Sequence, residues 1–284
     1  MAQLLTILQK AGEFLHEKGS PSARLDAEVL LAEVLGMQRI ELYANYDRPL
    51  DKSELDRFRQ AVARRGKLEP IAYIIGRKEF YSREFEVNEK VLIPRPETEL
   101  LVEKVISYLK AFPIEKPEIL ELCTGSGAVA ITLVLEIEGA TVTANDISTE
   151  ALAVARRNAK LHQVSLDFIE GDLFSGLNKK FDLIVANPPY IATSEIENLP
   201  QSVRFYEPKL ALDGGEDGLS YYKRIITEAY RYLKDLGAIF LEIGESQAKE
   251  VATLAQKVGV YSPPMVAKDL AGKNRAIFLK RANL

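Results

Sequence analysis

Cysteine occurs once in the 284 residues, tryptophan not at all, and histidine only twice. A lone thiol, Cys123, excludes an internal disulfide. Two histidines and one cysteine, far apart in the chain, leave no ligand cluster, so no metal site is expected. Long apolar runs are missing too: none approaches the ~18 residues that a membrane-spanning helix needs. Nor is there an excess of charge of one sign. The balance of 37 Lys+Arg against 41 Asp+Glu gives a net charge of −4, without the basic surplus that a nucleic-acid backbone attracts. The opening stretch "MAQLLTILQKAGEFLHEKG" has no basic start and no small-residue cleavage site, which argues against a signal or transit peptide. With 47% hydrophobic and 27% charged residues, the expectation is a globular, cytoplasmic protein without membrane contact.

What is present divides into regimes. Residues 1–75 carry helical patterns and no clear strand. Leu4, Leu5, Ile7, Leu8, Ala11, Phe14 and Leu15 recur as one face of a first helix. Ser22 is placed to cap a second that ends near Gly36, and Asp51 or Ser53 to cap another that closes at Gly66. This region holds 11 Lys+Arg and 11 Asp+Glu, so the basic stretch Arg57–Lys67 reads as a solvated helix face or as a docking surface for a ribonucleoprotein partner. Residues 76–95 alternate in the manner of a β-hairpin linker. From 96 to 284, after a helix over about Glu97–Ala111, strands and helices take turns. "EILELC", "ATVTAND", "LDFIEGD", "FDLIVAN" and "GAIFLEIG" read as strands, "TEALAVARRNAKLH" and "YYKRIITEAYRYLKD" as helices. Such alternation predicts an α/β fold, a Rossmann-like parallel sheet covered on both faces. "RAIFLKR" is expected as a last, antiparallel strand at or near an edge.

Three strand ends point to a nucleoside pocket. "ELCTGSGAVAI" places Cys123, Thr124, Gly125, Ser126 and Gly127 between a strand and a helix, where glycines permit tight turning and close ligand approach. Asp146, followed by Ile147, ends the next strand, and a carboxylate there can accept both hydroxyls of a ribose. Asp172 and Leu173 in "EGDLF" fall where the edge and face of an adenine would lie. Ligands of open α/β sheets bind at this carboxyl edge. The glycine spacing and the acid also fit a dinucleotide-binding fingerprint, so adenosine binding is expected on either reading. Glu121 can order the loop or approach a ligand's amino group.

The fourth strand, Phe181–Ala186, runs into Asn187, Pro188, Pro189 and Tyr190. Asn187 and Pro188 each precede a proline, which restrains both to extended backbone and presets their carbonyls. The segment forms a rigid clamp rich in acceptors. Beside an adenosine pocket, NPPY resembles the amino-methyltransferases, which methylate a planar nitrogen with S-adenosylmethionine. An amide nitrogen is a poor nucleophile because its lone pair is delocalised into the carbonyl. Two acceptors, the Asn187 side-chain oxygen and the Pro188 carbonyl, would orient it, and Tyr190 would offer a ring against the flat amide. No general base is required, and His16 and His162 read as structural.

The likeness extends along the chain. "EPIAYIIGRKEFYSREFEVNEKVLIPRPETELL", "GSGAVAI", "NPPYI", "EPKLALDGGEDGLSYYKRII" and "DLAGKNRAIF" resemble, in order, the HemK/PrmC family of protein-(glutamine-N5) methyltransferases. The resemblance implies a class I methyltransferase domain behind a small all-helical N-terminal domain that docks the substrate, with a β-hairpin linker between them. It implies S-adenosyl-L-methionine as donor and S-adenosyl-L-homocysteine as product. The acceptor implied is the glutamine of the Gly-Gly-Gln motif in class-I peptide chain release factors, met by a monomeric enzyme. It also brings Arg95 and Glu97 into the floor of the cleft, although a helix start accounts for the acids there equally well. Glu207 and Pro208 would border the substrate entrance. One departure is visible: the family's loop usually begins with glycine, where this chain has Cys123. A small thiol fits there if φ is negative, as a buried and inert side chain. An N6-adenine nucleic-acid methyltransferase shares the NPPY logic, and a non-catalytic adenosine-binding protein is the remaining alternative.

Overall fold

The computed structural model describes residues 3–282. They divide into two compact units: the residues up to Arg77 together with Pro200–Tyr206, and Lys78–Leu199 together with Glu207 onward.

The first unit is helical: α1 (Leu4–Glu17), α2 (Ala23–Leu35), α3 (Arg39–Ala44), α4 (Lys52–Arg65) and α5 (Ile71–Ile75). On α1, Leu4, Ile7, Leu8, Ala11 and Leu15 are buried, whereas Leu5 and Phe14 from the expected face are exposed. At ~100° per residue these two fall on the flanks of the stripe, roughly 80–100° from its centre. Ser22 precedes α2 but does not cap it through a backbone N–H; its hydroxyl donates to Asp26 Oδ1 at 2.8 Å. Asp26 is buried and also takes the Nε of Arg65 at 2.6 Å, so a serine–aspartate–arginine cluster joins α2 to α4 inside the core. Gly36 ends α2 in the left-handed region, as expected. Of the two candidate caps, Asp51 is used. It accepts Glu54 N–H at 2.8 Å, and Glu54 returns the bond to Asp51 N–H at 3.0 Å.

The second unit opens with most of the hairpin, β1 (Arg77–Phe80) and β2 (Arg83–Glu86). Its two turn residues, Tyr81 and Ser82, both have positive φ, the geometry that suits the twist of two-residue hairpins. A 3₁₀ turn at Pro96–Thr98 then leads into α6 (Glu99–Ala111). The chain continues through β3 (Glu118–Leu122), α7 (Ala128–Glu136), β4 (Thr141–Asp146), α8 (Thr149–Leu161), β5 (Asp167–Glu170) and β6 (Phe181–Ala186). After the short α9 (Gln201–Arg204), which packs with the first unit, come α10 (Ser220–Glu228), β7 (Leu233–Glu242), α11 (Ala248–Val258), β8 (Met265–Lys268) and β9 (Asn274–Lys280).

The seven-stranded sheet has the order β5-β4-β3-β6-β7-β9-β8. The strands β3 to β7 run parallel, and β9 is antiparallel to β7 and β8. Alternate residues explain why these strands are apolar throughout. Ile119, Leu183, Val185 and Phe240 enter one core with α6, α7 and the hairpin's Phe80 and Phe85. Leu120, Leu122, Ile184, Ile239 and Leu241 enter the other with α10 and α11. The helix expected through Asp235 is shorter. It ends at Glu228 plus one 3₁₀ turn, and Leu233–Asp235 already belong to β7. Leu233 is fully buried opposite Phe181, so tertiary pairing overrides a locally helical pattern. The edge strand β8 had no periodic signal.

Candidate active site

Sheet register assembles the site. Leu122 pairs with Asn145 on one side and with Ala186 on the other, and Asp146 pairs with Glu170. The loop after β3, the acid ending β4 and the NPPY segment after β6 therefore leave the sheet side by side. Chain order reverses between β3 and β6, the switch point at which such sheets hold ligands.

A cavity with about 1010 Å³ of atom-free space, open mouth included, lies there. Its lining includes Glu121, Cys123, Thr124, Gly125, Ser126, Asp146, Ile147, Asp172, Leu173, Asn187, Pro189 and Arg95 from the sequence-based set. Gly127, Pro188, Tyr190 and Glu97 are outside that lining among the described residues. Gly127 has φ 80° at the start of α7, and an added Cβ would stand 3.1 Å from Ala155 Cβ, so the loop–helix junction requires glycine.

Asp146 is buried and organises the loop: Oδ2 accepts Gly125 N–H and Oδ1 accepts Ser148 N–H, both at 2.9 Å. Burial raises its pKa, against these backbone bonds. Buried Glu121 accepts the hydroxyl of Thr124, and burial lifts its carboxyl to about 8. Asp172 pairs with Arg224 at 2.9 Å. Asn158 of α8, wholly buried, donates to Ser126 O at 2.8 Å and Glu86 O at 3.0 Å and accepts Glu86 N–H at 2.7 Å. It ties the glycine loop to the hairpin, a link that nothing in the sequence marked.

Cys123 corrects an expectation. Its φ is 59°, in the left-handed region, not negative. The position has the conformation that favours glycine, and the cysteine carries the strain. The thiol is held up by burial, so it is inert as a nucleophile. Leu173 also has positive φ, 54°. Non-glycine residues held in this region concentrate at ligand sites.

Asn187 Nδ2 donates to Thr98 Oγ1 at 3.2 Å, which leaves Oδ1 as the acceptor end of the amide. Tyr190 is largely removed from solvent; its ring packs on the core beneath the sheet, its hydroxyl lies 3.4 Å from Glu242, and burial raises it to about 12. Gln247 Nε2 donates to Tyr190 O at 2.9 Å, and an added Cβ at Gly218 would stand 2.5 Å from that same oxygen. The segment "GGEDG" thus lies flat against the back of the clamp. Arg95 pairs with Glu207, a buried carboxylate that also accepts Ile93 N–H at 3.2 Å, so "IPRP" and "EPK" are clasped together at the cavity's edge. Glu97 is exposed in the first 3₁₀ turn. His162 Nε2 lies 2.8 Å from Glu84 O, a carbonyl that can only accept, so the ring donates there as part of the scaffold. Sequence reasoning missed Thr98, Asn158, Glu242 and Gln247, since each acts through contacts distant in the chain.

The residues fit a cationic nucleoside ligand better than a dinucleotide. Gly125 N–H, which a diphosphate would need, is already taken by Asp146, and Glu121, Asp146 and Asp172 line the wall. Among the described residues no group of three or more His, Cys, Asp or Glu could hold a metal ion, and no helix is long and apolar enough to cross a membrane.

Residues 6–76 match the PrmC N-terminal domain, and residues 97–203 the methyltransferase small domain. The chain is 44% identical over 285 residues to the release factor glutamine methyltransferase of Leptospira interrogans, covering 98% of each chain. It is 41% identical to that of Bacillus subtilis, covering 98% of this chain and 97% of the other. The chain belongs to the release factor glutamine methyltransferase family. Its methyl donor is S-adenosylmethionine. Solved methyltransferase structures share the fold of this family member at low identity. The methyltransferase from Pyrococcus furiosus aligns with a TM-score of 0.52 at 19% identity, over 79% of this chain and 98% of that one. The hMettl16 catalytic domain, solved with the MAT2A 3′UTR hairpin 6, gives 0.59 at 14%, over 81% and 82%.

Proposed function

We propose that the enzyme methylates N5 of the glutamine in the Gly-Gly-Gln motif of class-I peptide chain release factors, with Asn187 and Pro188 as the acceptor-side clamp. The observation that carries this reading is the Asn187 amide anchored through Nδ2 to Thr98 at the rim of the donor cavity. Anchored so, Oδ1 accepts one N–H of the glutamine amide, and the Pro188 carbonyl accepts the other. Two acceptors on one nitrogen orient its lone pair and increase its electron density. Held in line, reacting groups gain up to ~7–11 kcal/mol from positioning alone.

When bound, S-adenosylmethionine supplies a methyl group already activated by a sulfonium. Of the cavity's lining, Asp146 would hold the ribose, Asp172, Leu173 and Ile147 would take the base, and Glu121 would take the ammonium. The loop Cys123–Ser126 would approach the ligand by its backbone, and Arg95, held by Glu207, would shape the floor beside Pro189. The nitrogen's surplus proton passes to water, so no histidine is needed.

The helical first unit docks the protein substrate; exposed Ile40 and Tyr43 support this with apolar contact area. Its balanced charge supports a protein acceptor over a nucleic acid, and the enzyme acts as a monomer in the cytoplasm. The test is radiolabel transfer. Label enters a class-I release factor once per chain, and replacing the Gly-Gly-Gln glutamine by glutamate abolishes it, because a carboxylate has no nitrogen to methylate. Label in DNA or RNA and none in the release factor would overturn the assignment.

A further inference from the structure

The turn after β5 is rigid and carries a tethered carboxylate. Asn145 Nδ2 donates to Gly171 O at 3.1 Å, Gly171 N–H to Asp146 O at 3.0 Å, and Ser175 N–H to Asp172 O at 3.1 Å. An added Cβ at Gly171 would stand 2.5 Å from Ser175 O, and Leu173 is held at φ 54°. The backbone of Asp172 is therefore fixed, and only its side-chain torsions can move the carboxylate. Arg224 takes up that freedom. It stands on α10, whose Tyr222, Ile225 and Ile226 are wholly buried, and its Nη2 lies 2.9 Å from Asp172 Oδ2. Asp172 lines the donor cavity. Arg224 is outside that lining, on the wall of a neighbouring cavity that shares Leu210 and Tyr221 with it. The guanidinium thus reaches the donor through the carboxylate.

The pair contributes little to the fold. Its side chains are 44% and 47% exposed, and ion pairs so open to water stabilise a protein only marginally. What it does is orient. With Oδ2 held by Arg224, Oδ1 is the oxygen left for a ligand. The geometry points to Arg224 as a positioning residue for the methyl donor's base, one that fixes Asp172 so that Oδ1 accepts the 6-amino group of adenine and repels a 6-oxo group. This rests on the reading of Asp172 as the acceptor at the base. An amino group brings an N–H to the carboxylate, whereas an oxo group sets lone pairs against it. Discrimination of that kind requires the acceptor to stay in place. Half-exposed and untethered, Asp172 would turn into water, where an oxo base meets no repulsion, or toward the N1–H that such a base also carries.

The experiment is titration calorimetry of S-adenosylhomocysteine and of its deaminated analogue, S-inosyl-L-homocysteine, with the wild type, R224A, R224K, R224M and D172A. The wild type should prefer the amino ligand by roughly 10–150-fold, the scale of one charged hydrogen bond. D172A should abolish the preference. R224A should lower the ratio of the two affinities roughly 5–10-fold, and R224K by less, since it keeps a donor but loses the fork. The melting temperature of R224A should stay within about 4 °C of the wild type, as for loss of an exposed pair. A wild-type ratio in R224A, with the preference lost in D172A, overturns the positioning role alone. No preference in the wild type, or an unchanged ratio in D172A, overturns the base reading and the positioning role together. Equal weakening of both ligands in R224A assigns the arginine to general packing and also refutes the role. If R224A does not fold, R224M, which keeps the aliphatic stem, decides by the same ratio.

Discussion

Asp146 Oδ2 accepts the backbone N–H of Gly125 at 2.9 Å, so the acid that ends β4 shapes the loop that follows β3. Its other oxygen holds Ser148 N–H at the start of α8. One carboxylate thereby sets two walls of the pocket.

From this follows a graded effect on donor affinity. Asp146→Ala removes the loop anchor and the proposed ribose acceptor together and should weaken S-adenosylhomocysteine binding by roughly 10–150-fold, the equivalent of ~1.5–3 kcal/mol for a charged hydrogen bond. Asp146→Asn, which keeps one oxygen, should fall between. Titration calorimetry reads both, and NAD should give no heat with any variant. Wild-type affinity in Asp146→Ala would remove the residue from the pocket's chemistry.

Glu121 makes stability depend on pH. Its folded pKa of about 8 lies above the ordinary carboxyl value of 4.5 because the side chain is buried. Between those limits the folded protein keeps a proton that the unfolded chain has lost. The stabilising effect is complete below pH ~4.5, falls by up to ~1.4 kcal/mol per pH unit, and is gone above about 8. Urea unfolding of the wild type minus Glu121→Gln, from pH 5 to 9, should show this decline. Because a cationic ammonium favours the ionised form, donor binding near pH 7 should release protons. Calorimetry in buffers of different ionisation enthalpy measures that release, and proton uptake would contradict the assignment.

Asn158→Ala should be among the most damaging substitutions outside the cavity. It strands Glu86 N–H, Glu86 O and Ser126 O. Buried groups left unpaired cost ~1–3 kcal/mol each, and with local relaxation the total should be about 2–5 kcal/mol. Chemical denaturation gives the figure. Donor affinity should drop as well, because Ser126 belongs to the glycine loop; unchanged stability would show that this polar junction contributes nothing.

Cys123→Gly should be tolerated. Relief of a left-handed φ contributes about 1–2 kcal/mol, offset by about 0.5–1 kcal/mol of glycine's extra chain entropy. Unfolding free energy should hold or rise slightly, with donor affinity retained. A clear loss in a thermal melt would mean that the thiol's packing outweighs the strain.

Much of this protein was legible in the chain alone. Period-2 and period-3.6 patterns, turn glycines and strand-end acids are local signals, so the parallel sheet, the hairpin, the loop Cys123–Gly127, Asp146 and the NPPY segment could be placed by position. A strand buried on both faces announces itself because every residue must be apolar. What only the tertiary structure decided depends on pairs far apart in sequence. Cys123 takes a left-handed φ because the loop must meet Asp146 from the neighbouring strand. Leu233–Asp235 become strand because Phe181 is there to pair. Pro200–Tyr206 pack with the helical unit, although they follow the clamp in the chain. Thr98, Asn158, Glu242 and Gln247 look like ordinary surface or strand residues in a linear reading. Their roles come from hydrogen bonds that close only when the sheet register brings distant backbone and side chains within ~3 Å, a distance that no local pattern encodes.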